Sequence, residues 1–382
     1  MKHKLFAIIF IFSIFTLLSG CTMSKEISTD TIAPIMNNNQ CGYVDENGEI
    51  VIDLKFKDCG SFSDNGLAPA LKDEKYGYID TNGIFVLKEQ FDYAAPFFNG
   101  YAVVCQNGLY GMIDEDGSYI IEPKYTGLRD FSHSGPAAFL ADTLYGFVDK
   151  EGKEIIPAQF DEADSFTDGG YALVCKNGMY GIIDTTGSYL IDLHYEYLEM
   201  FAENGLALAK QDGKYGYIDK TGAVVIDFGY DLAFSFTEHN LAAISLENQW
   251  GFIDSNGEII IEPQYDLVYA FGNHNLTITK KDNRYGIINT DGTTILEPTY
   301  DYIESFAENG LAAFAQDKQW GYLDCDGNIA IEPAYNYCSS FGNSKIALVQ
   351  KNGFCGALNS DGSIAVEPKY QNIGFFSPYK NK

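Results

Sequence analysis

A block anchored on glycine recurs about every 35 residues through almost the whole chain. Eight of the nine steps between successive anchor glycines are 35 residues long, and one, from Gly77 to Gly111, is 34. A chain with this period folds as a row of small supersecondary units, because one unit alone cannot bury its apolar face and must stack on its neighbours. The anchors are Gly42, Gly77, Gly111, Gly146, Gly181, Gly216, Gly251, Gly286, Gly321 and Gly356.

Three further positions keep their residue type in all ten units. A second glycine lies six residues after the anchor, as at Gly48 and Gly362. Positions are numbered as residues after the anchor glycine, and position 14 is always Phe or Tyr, as at Tyr125. Position 20 is always Phe, from Phe62 to Phe376. Invariant glycines indicate turns, and the invariant Phe is predicted to lie in the core that the units share.

Each unit is predicted to be an antiparallel meander of β-strands. In residues 205–230, three β-patterned segments are separated by turns, and the second alternates Tyr215 and Tyr217 with Gly216 and Ile218. In six units a proline ends the third strand, which suits a strand terminus or an edge. The segment between positions 14 and 20 is a fourth short strand or a packed crossing segment. The fold class is therefore all-β, a tandem array of about ten 35-residue meanders, superhelical or propeller-like.

The turn between the second and third strands has an acid–glycine signature. In residues 219–222, Asp219 is expected to accept hydrogen bonds from turn amides, and Gly222 supplies a positive φ at little cost. Versions such as residues 114–117 and 324–327 are similar to half of a calcium loop, but they lack the spacing and the bidentate glutamate of an EF-hand. Hairpin geometry is the interpretation that fits all ten copies.

The N-terminus has the pattern of a lipoprotein signal peptide over residues 1–20. A basic start is followed by an apolar run, Leu5 to Leu18, that is too short for a comfortable membrane span. The run ends in Leu18-Ser19-Gly20-Cys21, which resembles the lipobox of bacterial lipoproteins. The resemblance implies that Cys21 becomes the mature N-terminus and carries acyl chains such as palmitate. Residues 21–30 are then a polar tether, and two acyl chains anchor a protein firmly to a bilayer.

The charge of the mature chain limits its partners. Removal of residues 1–20 takes away Lys2 and Lys4 and no acid, which leaves 23 basic and 53 acidic residues and a net charge of −30. Nucleic acid is excluded as a partner, because phosphate binding needs clustered Lys and Arg. The charge is typical of a protein kept soluble outside the cell.

The remaining seven cysteines show no metal or redox spacing. They are scattered among apolar repeat positions, and Cys105 and Cys175 occupy the same strand position two units apart. Most of them are interpreted as small buried hydrophobic residues, and their thiol or disulfide state stays open.

The strongest family signal is the aromatic–glycine pair at the start of each unit. Trp250-Gly251, Trp320-Gly321 and Tyr-Gly in most other units, with the downstream Ile-Asp-x-x-Gly-x-x-Ile-Ile-x-Pro-x-Tyr pattern, resemble the WG-repeat (KWG-repeat) family. The resemblance covers residues 31–376 and departs at Cys41 and Cys355, which replace the aromatic residue. It implies a β-rich repeat array on bacterial surface or exported proteins, of unassigned binding function and without catalytic residues.

The two ends of the array are cut at matching points. Residues 31–34 match Gly66 to Pro69, so the array opens with the first strand of a unit and closes with the segment from Tyr370 to Phe376, leaving residues 377–382 as a C-terminal tail. This cut allows the ends to meet. Ten blades would leave a wide central hole, however. We therefore expect an open or incompletely closed array.

No motif in the chain points to catalysis or to a metal. The turn histidines His239 and His274 share one repeat position and His133 lies in the corresponding turn, where other units carry Asn-Gly. Their interpretation is that of loop residues, and no metal or cofactor is predicted. Every acid belongs to the repeat, whereas catalytic carboxylates need singular, desolvated surroundings, so an enzyme is not expected.

The aromatic residues before the anchor glycines have two interpretations. Trp250 and Trp320 are candidate binding residues, because Trp and Tyr faces stack on sugar rings. The alternative is that these aromatic residues pack in the core, each across a bare glycine of a neighbouring strand.

The sequence therefore predicts a lipid-anchored protein on the extracytoplasmic face of a bacterial cell membrane. It would act as a non-enzymatic interaction module for a protein or cell-envelope polymer, since repeat arrays offer wide surfaces. The alternative is a carbohydrate- or peptidoglycan-binding module that uses exposed Tyr and Trp.

Overall fold

The computed structural model describes residues 31–45, 47–131, 135–341, 345–374 and 377–378. The signal peptide, the tether with Cys21, His133 and Phe376 lie outside these residues. Within the described part, the chain forms ten antiparallel sheets, and one 3-10 turn over Asn273–Asn275 is the sole helical element. The all-β prediction is confirmed.

In sheets 2 to 10, a two-residue strand is followed in the chain by three longer strands, and the four strands pair side by side in this order. Sheet 1 consists of β1 (Thr31–Asn37), β2 (Gln40–Asp45) and β3 (Ile50–Phe56). Sheet 2 consists of β4 (Asp58–Cys59), β5 (Ala68–Lys72), β6 (Lys75–Ile79) and β7 (Phe85–Phe91). Sheet 3 consists of β8 (Tyr93–Ala94), β9 (Tyr101–Gln106), β10 (Leu109–Asp114) and β11 (Tyr119–Tyr125). Sheet 4 consists of β12 (Gly127–Leu128), β13 (Ala137–Ala141), β14 (Leu144–Val148) and β15 (Glu154–Phe160).

The remaining sheets repeat this plan. Sheet 5 consists of β16 (Glu162–Ala163), β17 (Tyr171–Lys176), β18 (Met179–Asp184) and β19 (Tyr189–Tyr195). Sheet 6 consists of β20 (Tyr197–Leu198), β21 (Ala207–Gln211), β22 (Lys214–Ile218) and β23 (Val224–Tyr230). Sheet 7 consists of β24 (Leu232–Ala233), β25 (Leu241–Leu246), β26 (Gln249–Asp254) and β27 (Ile259–Tyr265). Sheet 8 consists of β28 (Leu267–Val268), β29 (Leu276–Lys281), β30 (Arg284–Asn289) and β31 (Thr294–Tyr300).

The last strands close the series. Sheet 9 consists of β32 (Tyr302–Ile303), β33 (Ala312–Gln316), β34 (Gln319–Leu323) and β35 (Ile329–Tyr335). Sheet 10 consists of β36 (Tyr337–Cys338), β37 (Ile346–Lys351), β38 (Phe354–Asn359) and β39 (Ile364–Tyr370). Beyond them lie β40 (Asn372–Ile373) and β41 (Ser377–Pro378), which both pair with β1.

The two ends of the chain meet in sheet 1, so the expectation of an open array is wrong. Ile35 pairs with Ile373, and the amide of Gly374 donates to the carbonyl oxygen of Pro34 at 2.7 Å. β40 thus supplies the two-residue strand that sheet 1 lacks. An open array would have left this strand and the edge of β1 unpaired. The argument from a wide central hole fails because each sheet buries its faces against its two neighbours only.

Of the two alternatives for the segment between positions 14 and 20, the structure has the fourth short strand, and the third long strand is longer than predicted. In β27, Pro263 lies inside the strand, which continues to Tyr265 at position 14. The strand tolerates proline because it lies at the edge of its sheet, beside a register shift between Trp250 and Phe252.

A register shift of the same kind, between Tyr110 and Met112 in sheet 3, explains the anchor glycine. At Gly111, a Cβ atom would lie 2.4 Å from the carbonyl oxygen of Ile121 and 2.8 Å from the amide nitrogen of Pro123. The bulged backbone of β11 therefore lies directly on the bare Cα atom. The space over Gly111 is thus filled by main chain, whereas over Gly146 and Gly216 the rings of Phe139 and Phe228 also lie within 2.9 Å of such a Cβ atom.

The acid–glycine turns have the predicted hairpin geometry. The carboxylate of Asp219 accepts hydrogen bonds from the amides of Thr221 at 2.8 Å and Ala223 at 3.0 Å, while Gly222 has a φ of 83°. A hydrogen bond from the hydroxyl of Thr221 is the main cause that lowers the pKa of Asp219. The carboxylate is thus engaged by its own turn.

The core lies between consecutive sheets. Tyr217 of sheet 6 packs on Phe236 at a ring-centroid distance of 4.7 Å, and Phe236 follows the two-residue strand of sheet 7. The hydroxyl of Tyr217 donates to the carbonyl oxygen of Phe234 at 2.7 Å, which satisfies a buried polar group. Except for the half-buried Phe201, the described Phe residues at position 20 are buried, so the core prediction for them is confirmed in nearly every sheet: Phe62, Phe97, Phe131, Phe166, Phe236, Phe271, Phe306 and Phe341.

Candidate binding surface

One face of every sheet contributes two positions to a row that passes from sheet to sheet. Most of these positions hold aromatic residues, and we call the row the aromatic ladder. It consists of the residue before each anchor glycine and the first residue of each two-residue strand. In sheet 3, Tyr93 lies opposite Cys105 and Cys105 lies opposite Tyr110, and residues directly opposite each other share a face. The ring centroids of Tyr93 and Tyr110 are 6.3 Å apart, and Tyr76 of sheet 2 lies 6.4 Å from Tyr93.

The ladder therefore runs within each sheet and then across to the next. Its members in chain order are Cys41, Asp58, Tyr76, Tyr93, Tyr110, Gly127, Tyr145, Glu162, Tyr180, Tyr197, Tyr215, Leu232, Trp250, Leu267, Tyr285, Tyr302, Trp320, Tyr337, Cys355 and Asn372.

The structure places the two candidate tryptophans differently within this ladder. Trp250 is buried at 7% exposure and stacks on Phe234, with ring centroids 5.0 Å apart. Trp320 is half-buried between Tyr302 at 5.5 Å and Tyr337 at 5.4 Å. Trp250 therefore offers little ring surface to a ligand, whereas Trp320 keeps part of its surface exposed. Binding by either residue stays a prediction.

Two acidic members of the ladder accept hydrogen bonds from its tyrosines. The hydroxyl of Tyr76 donates to Asp58 at 2.6 Å, and that of Tyr180 donates to Glu162 at 2.8 Å. Burial raises the pKa of Glu304 to about 7. The ladder thus combines ring faces with carboxylates, some of which are held in a desolvated environment.

The ladder is interrupted at Gly127, the one member without a side chain. A cleft of about 520 Å³ opens there between sheets 3 and 4. Its lining residues are Tyr93, Ala95, Val103, Tyr110, Thr126, Gly127, Leu128, Arg129, Asp130 and Ser165.

The cleft carries one positive and one negative side chain. Arg129 pairs with Asp164 of sheet 5 at 3.1 Å, and its guanidinium lies 6.0 Å from the ring of Tyr145. Burial raises the pKa of the Asp130 carboxyl. Burial is the main cause that raises the pKa of Tyr78, and the nearby Tyr93 and Asp130 add to this effect. The cleft is therefore polar and bordered by aromatic rings, and its one cationic side chain is already paired with a carboxylate.

Sequence reasoning missed this cleft, although a signal for it exists. Aligning the ten units shows that position 16 is Gly in one unit only, and that position 18 is Arg in the same unit. Gly127 and Arg129 thus break the repeat together. Gly127 begins β12 and Arg129 directly follows its end, and in extended chain residues two apart share a face.

The turn histidines each contact the next sheet. Nε2 of His239 lies 2.9 Å from the carbonyl oxygen of Gly272, and Nε2 of His274 lies 3.3 Å from that of Ala307. Each imidazole thus links two consecutive turns and does not face the other histidine. Across the described residues, no three His, Cys, Asp or Glu side chains converge in a way that could hold a metal ion.

The cysteines separate into a disulfide and single thiols. Cys41 and Cys59 form a disulfide with a Cα–Cα distance of 6.1 Å, and this pair joins sheets 1 and 2. Cys105, Cys175 and Cys338 are buried, as predicted for small apolar residues, and burial raises the pKa of each thiol. Cys21 lies outside the described residues, where its lipidation stays a prediction. The described part of the chain contains no helix long and apolar enough to cross a membrane.

Ten four-stranded blades that follow one another around a closed ring define a ten-bladed β-propeller. The sequence matches the WG containing repeat in ten segments, and the chain belongs to this family. The matched segments are 42–76, 76–110, 110–140, 145–180, 180–215, 215–250, 250–285, 285–320, 320–353 and 356–379.

The solved structures that match this chain are distant in sequence. A crystal structure of the eukaryotic initiation factor matches with a TM-score of 0.54 and 10% identity, covering 91% of this chain and 98% of that chain. The dihydro-heme d1 dehydrogenase NirN in complex with DHE matches with a TM-score of 0.36 and 11% identity, over 81% and 73% of the two chains. At such identities the first match shows a shared fold alone. No curated protein sequence matches this chain.

Proposed function

We propose that this propeller is a lipid-anchored protein on the extracytoplasmic face of a bacterial cell membrane. In this proposal it is a non-enzymatic interaction module whose partner is a protein or a cell-envelope polymer. The observation that carries the interaction role is a set of exposed aliphatic side chains at the start of the third long strands. Ile259 and Ile260 are 45% and 43% exposed on consecutive positions, and they recur at the same place in other blades. The recurring residues are Ile50, Val51, Val86, Val224, Val225, Ile329 and Ile364.

An exposed apolar edge that recurs around a ring supports a macromolecular partner. Exposed edge strands otherwise promote aggregation, and large apolar patches on soluble proteins commonly mark interaction sites. Prolines such as Pro263 on the same strands limit unspecific strand pairing. The net charge of −28 supports a partner other than nucleic acid.

The interaction surface is tested by exchanging three exposed aliphatic residues for threonine. Val224→Thr, Ile259→Thr and Ile329→Thr keep the strand propensity, since Thr294 occupies this position in sheet 8. We expect at least a tenfold loss of partner capture from a cell-envelope extract. The control exchanges three exposed glutamates of third strands, Glu262→Gln, Glu297→Gln and Glu332→Gln. Equal capture by both triple variants would contradict the proposed surface.

The lipid anchor is tested by Cys21→Ala. The proposal expects this variant to move from the membrane fraction to the medium, because a single thiol carries the acyl chains. The matched control is Cys355→Ala, which removes a free thiol from the folded part and leaves the protein at the membrane. A Cys21→Ala protein that stays membrane-bound would refute the anchor.

We propose carbohydrate binding as the second candidate function. One specific observation favours it, the tyrosine-bordered polar cleft at Gly127. Carbohydrate sites combine an aromatic platform with hydrogen-bonding groups, and this cleft contains both.

A further inference from the structure

The cleft at Gly127 is bordered by exposed ring surface of the aromatic ladder. Tyr93 and Tyr337 occupy the same repeat position and are 46% and 45% exposed. Tyr337 packs on Trp320 on one side, at 5.4 Å. Tyr93 contacts Tyr76 at 6.4 Å and Tyr110 at 6.3 Å, and it borders the cleft together with Tyr110, whose next ladder member is Gly127. The missing side chain therefore leaves a recess with two tyrosines in its wall.

The polar groups of the cleft are balanced between donors and acceptors. Arg129 uses one nitrogen for Asp164, which leaves further N–H donors of its guanidinium for a ligand. Asp130 supplies carboxylate acceptors, and the hydroxyls of Thr126 and Ser165 also line the recess. The hydroxyl of Thr126 donates to the carbonyl oxygen of Leu140 at 3.0 Å and keeps its acceptor capacity.

This balance indicates the charge of the ligand. An anion in the cleft would approach Asp130 within a strongly acidic protein, and a cation would compete with the Arg129 guanidinium for Asp164. A neutral ligand with many hydroxyl groups avoids both penalties and uses donors and acceptors together. Its apolar face would lie on a tyrosine ring, as pyranose rings do on aromatic residues.

We propose that the Gly127 cleft is a binding site for a neutral saccharide, with Tyr93 as the stacking platform and Arg129 and Asp130 as hydrogen-bonding partners. The volume of about 520 Å³ lies in the range of small-ligand sites. This site rests on the carbohydrate alternative of the proposed function and not on the apolar edge. It replaces Trp250 and Trp320 as the stacking residues.

The test measures binding of a panel of neutral sugars to the full folded chain by saturation-transfer NMR and calorimetry. The panel contains glucose, galactose, mannose and N-acetylglucosamine with their β-linked disaccharides, and tetramethylammonium and inorganic phosphate serve as charged probes. We expect at least one neutral sugar to bind. Tyr93→Ala should weaken this binding at least tenfold, and Tyr337→Ala, the matched control, less than twofold.

A second variant fills the cleft and keeps the other side chains that line it. Gly127→Tyr restores the residue type found at this position in sheets 3, 6, 9 and 10. Its Cβ atom would lie 3.2 Å from Cβ of Leu140, so the Leu140 side chain must move slightly. With the fold checked by circular dichroism, this variant should lose sugar binding. Failure of every sugar to bind, stronger binding of a charged probe, or equal losses in Tyr93→Ala and Tyr337→Ala would each overturn the proposal. Capture of a macromolecular partner through the apolar edge is measured separately and does not depend on these outcomes.

Discussion

The part of the aromatic ladder around Tyr337 and the part around Gly127 have the same strand arrangement and different surfaces. In sheets 9 and 10, Tyr302, Trp320 and Tyr337 lie 5.5 and 5.4 Å apart and form an unbroken aromatic row. In sheets 3 and 4, the same row ends at Gly127 and a cleft opens. The strand order is identical in both regions. The comparison shows that the propeller tolerates a single exchange on this face, so the surface can vary while the blade is kept.

Two glycines of sheets 3 and 4 serve different purposes, and the largest predicted effect separates them. Gly111→Ala places a Cβ atom 2.4 Å from a main-chain oxygen, so we expect a loss of about 3 kcal/mol or more in the free energy of unfolding. Gly127→Ala meets only the Cβ atom of Leu140, at 3.2 Å, and should cost less than about 1 kcal/mol. Urea denaturation followed by circular dichroism compares them. Equal losses would mean that the fold itself requires Gly127.

The next effect separates the two tryptophans of the ladder. Trp250→Ala removes a buried ring that stacks on Phe234 and should lower the free energy of unfolding by about 3 kcal/mol. Trp320 is half-buried, so Trp320→Ala should cost about 1–2 kcal/mol. Thermal melts of both variants measure the difference. A larger cost for Trp320 would contradict the assignment of Trp250 to the core.

A pH-dependent effect is expected in the unbroken region. The pKa of Glu304 is raised by burial from 4.5 to about 7, so the folded state holds a proton that the unfolded state releases. Stability from this group is complete below pH 4.5 and is lost as the pH rises through about 7. Glu304→Gln should remove this slope and stabilise the protein at pH 8 by about 2 kcal/mol. Melts between pH 4 and pH 8 test this. The same slope in the variant would assign the effect to other groups.

The smallest effect concerns Arg129, which occupies in sheet 4 the position of Glu304 in sheet 9. Its ion pair with Asp164 is exposed, so Arg129→Ala should change the free energy of unfolding by less than about 1 kcal/mol. The comparison with Lys214→Ala, which breaks another exposed pair with Asp231, gives the scale for a purely structural ion pair. A much larger loss at Arg129 would indicate that this residue holds sheets 4 and 5 together.

Much of the fold was predictable because its determinants are local. The anchor glycines, the acid–glycine turns and the Phe at position 20 recur at fixed offsets, and each acts within one unit or on the adjacent one. The reason for the anchor glycine was not predictable, since the bulge that covers Gly111 appears only when β10 and β11 are paired. The disulfide between Cys41 and Cys59 was missed for a similar reason, because the two residues share no spacing motif and meet across sheets 1 and 2.

The candidate site was less predictable than the fold. Sequence composition favoured Trp250 and Trp320, because large aromatic residues are the usual sugar platforms. The structure shows Trp250 covered by Phe234 and places the accessible recess beside Gly127, where a side chain is absent. An absent side chain gives no positive motif, and its effect depends on which neighbours it uncovers.

The sequence by itself determined that this protein is a ten-unit all-β array of the WG-repeat type, since period and turn chemistry are properties of the chain order. Tertiary structure decided that the array closes, through the pairing of Ile35 with Ile373. It also decided which ladder residues are accessible. Both depend on contacts between residues far apart in the chain, whose separation is fixed only by the small rotation from each blade to the next, summed over the whole ring.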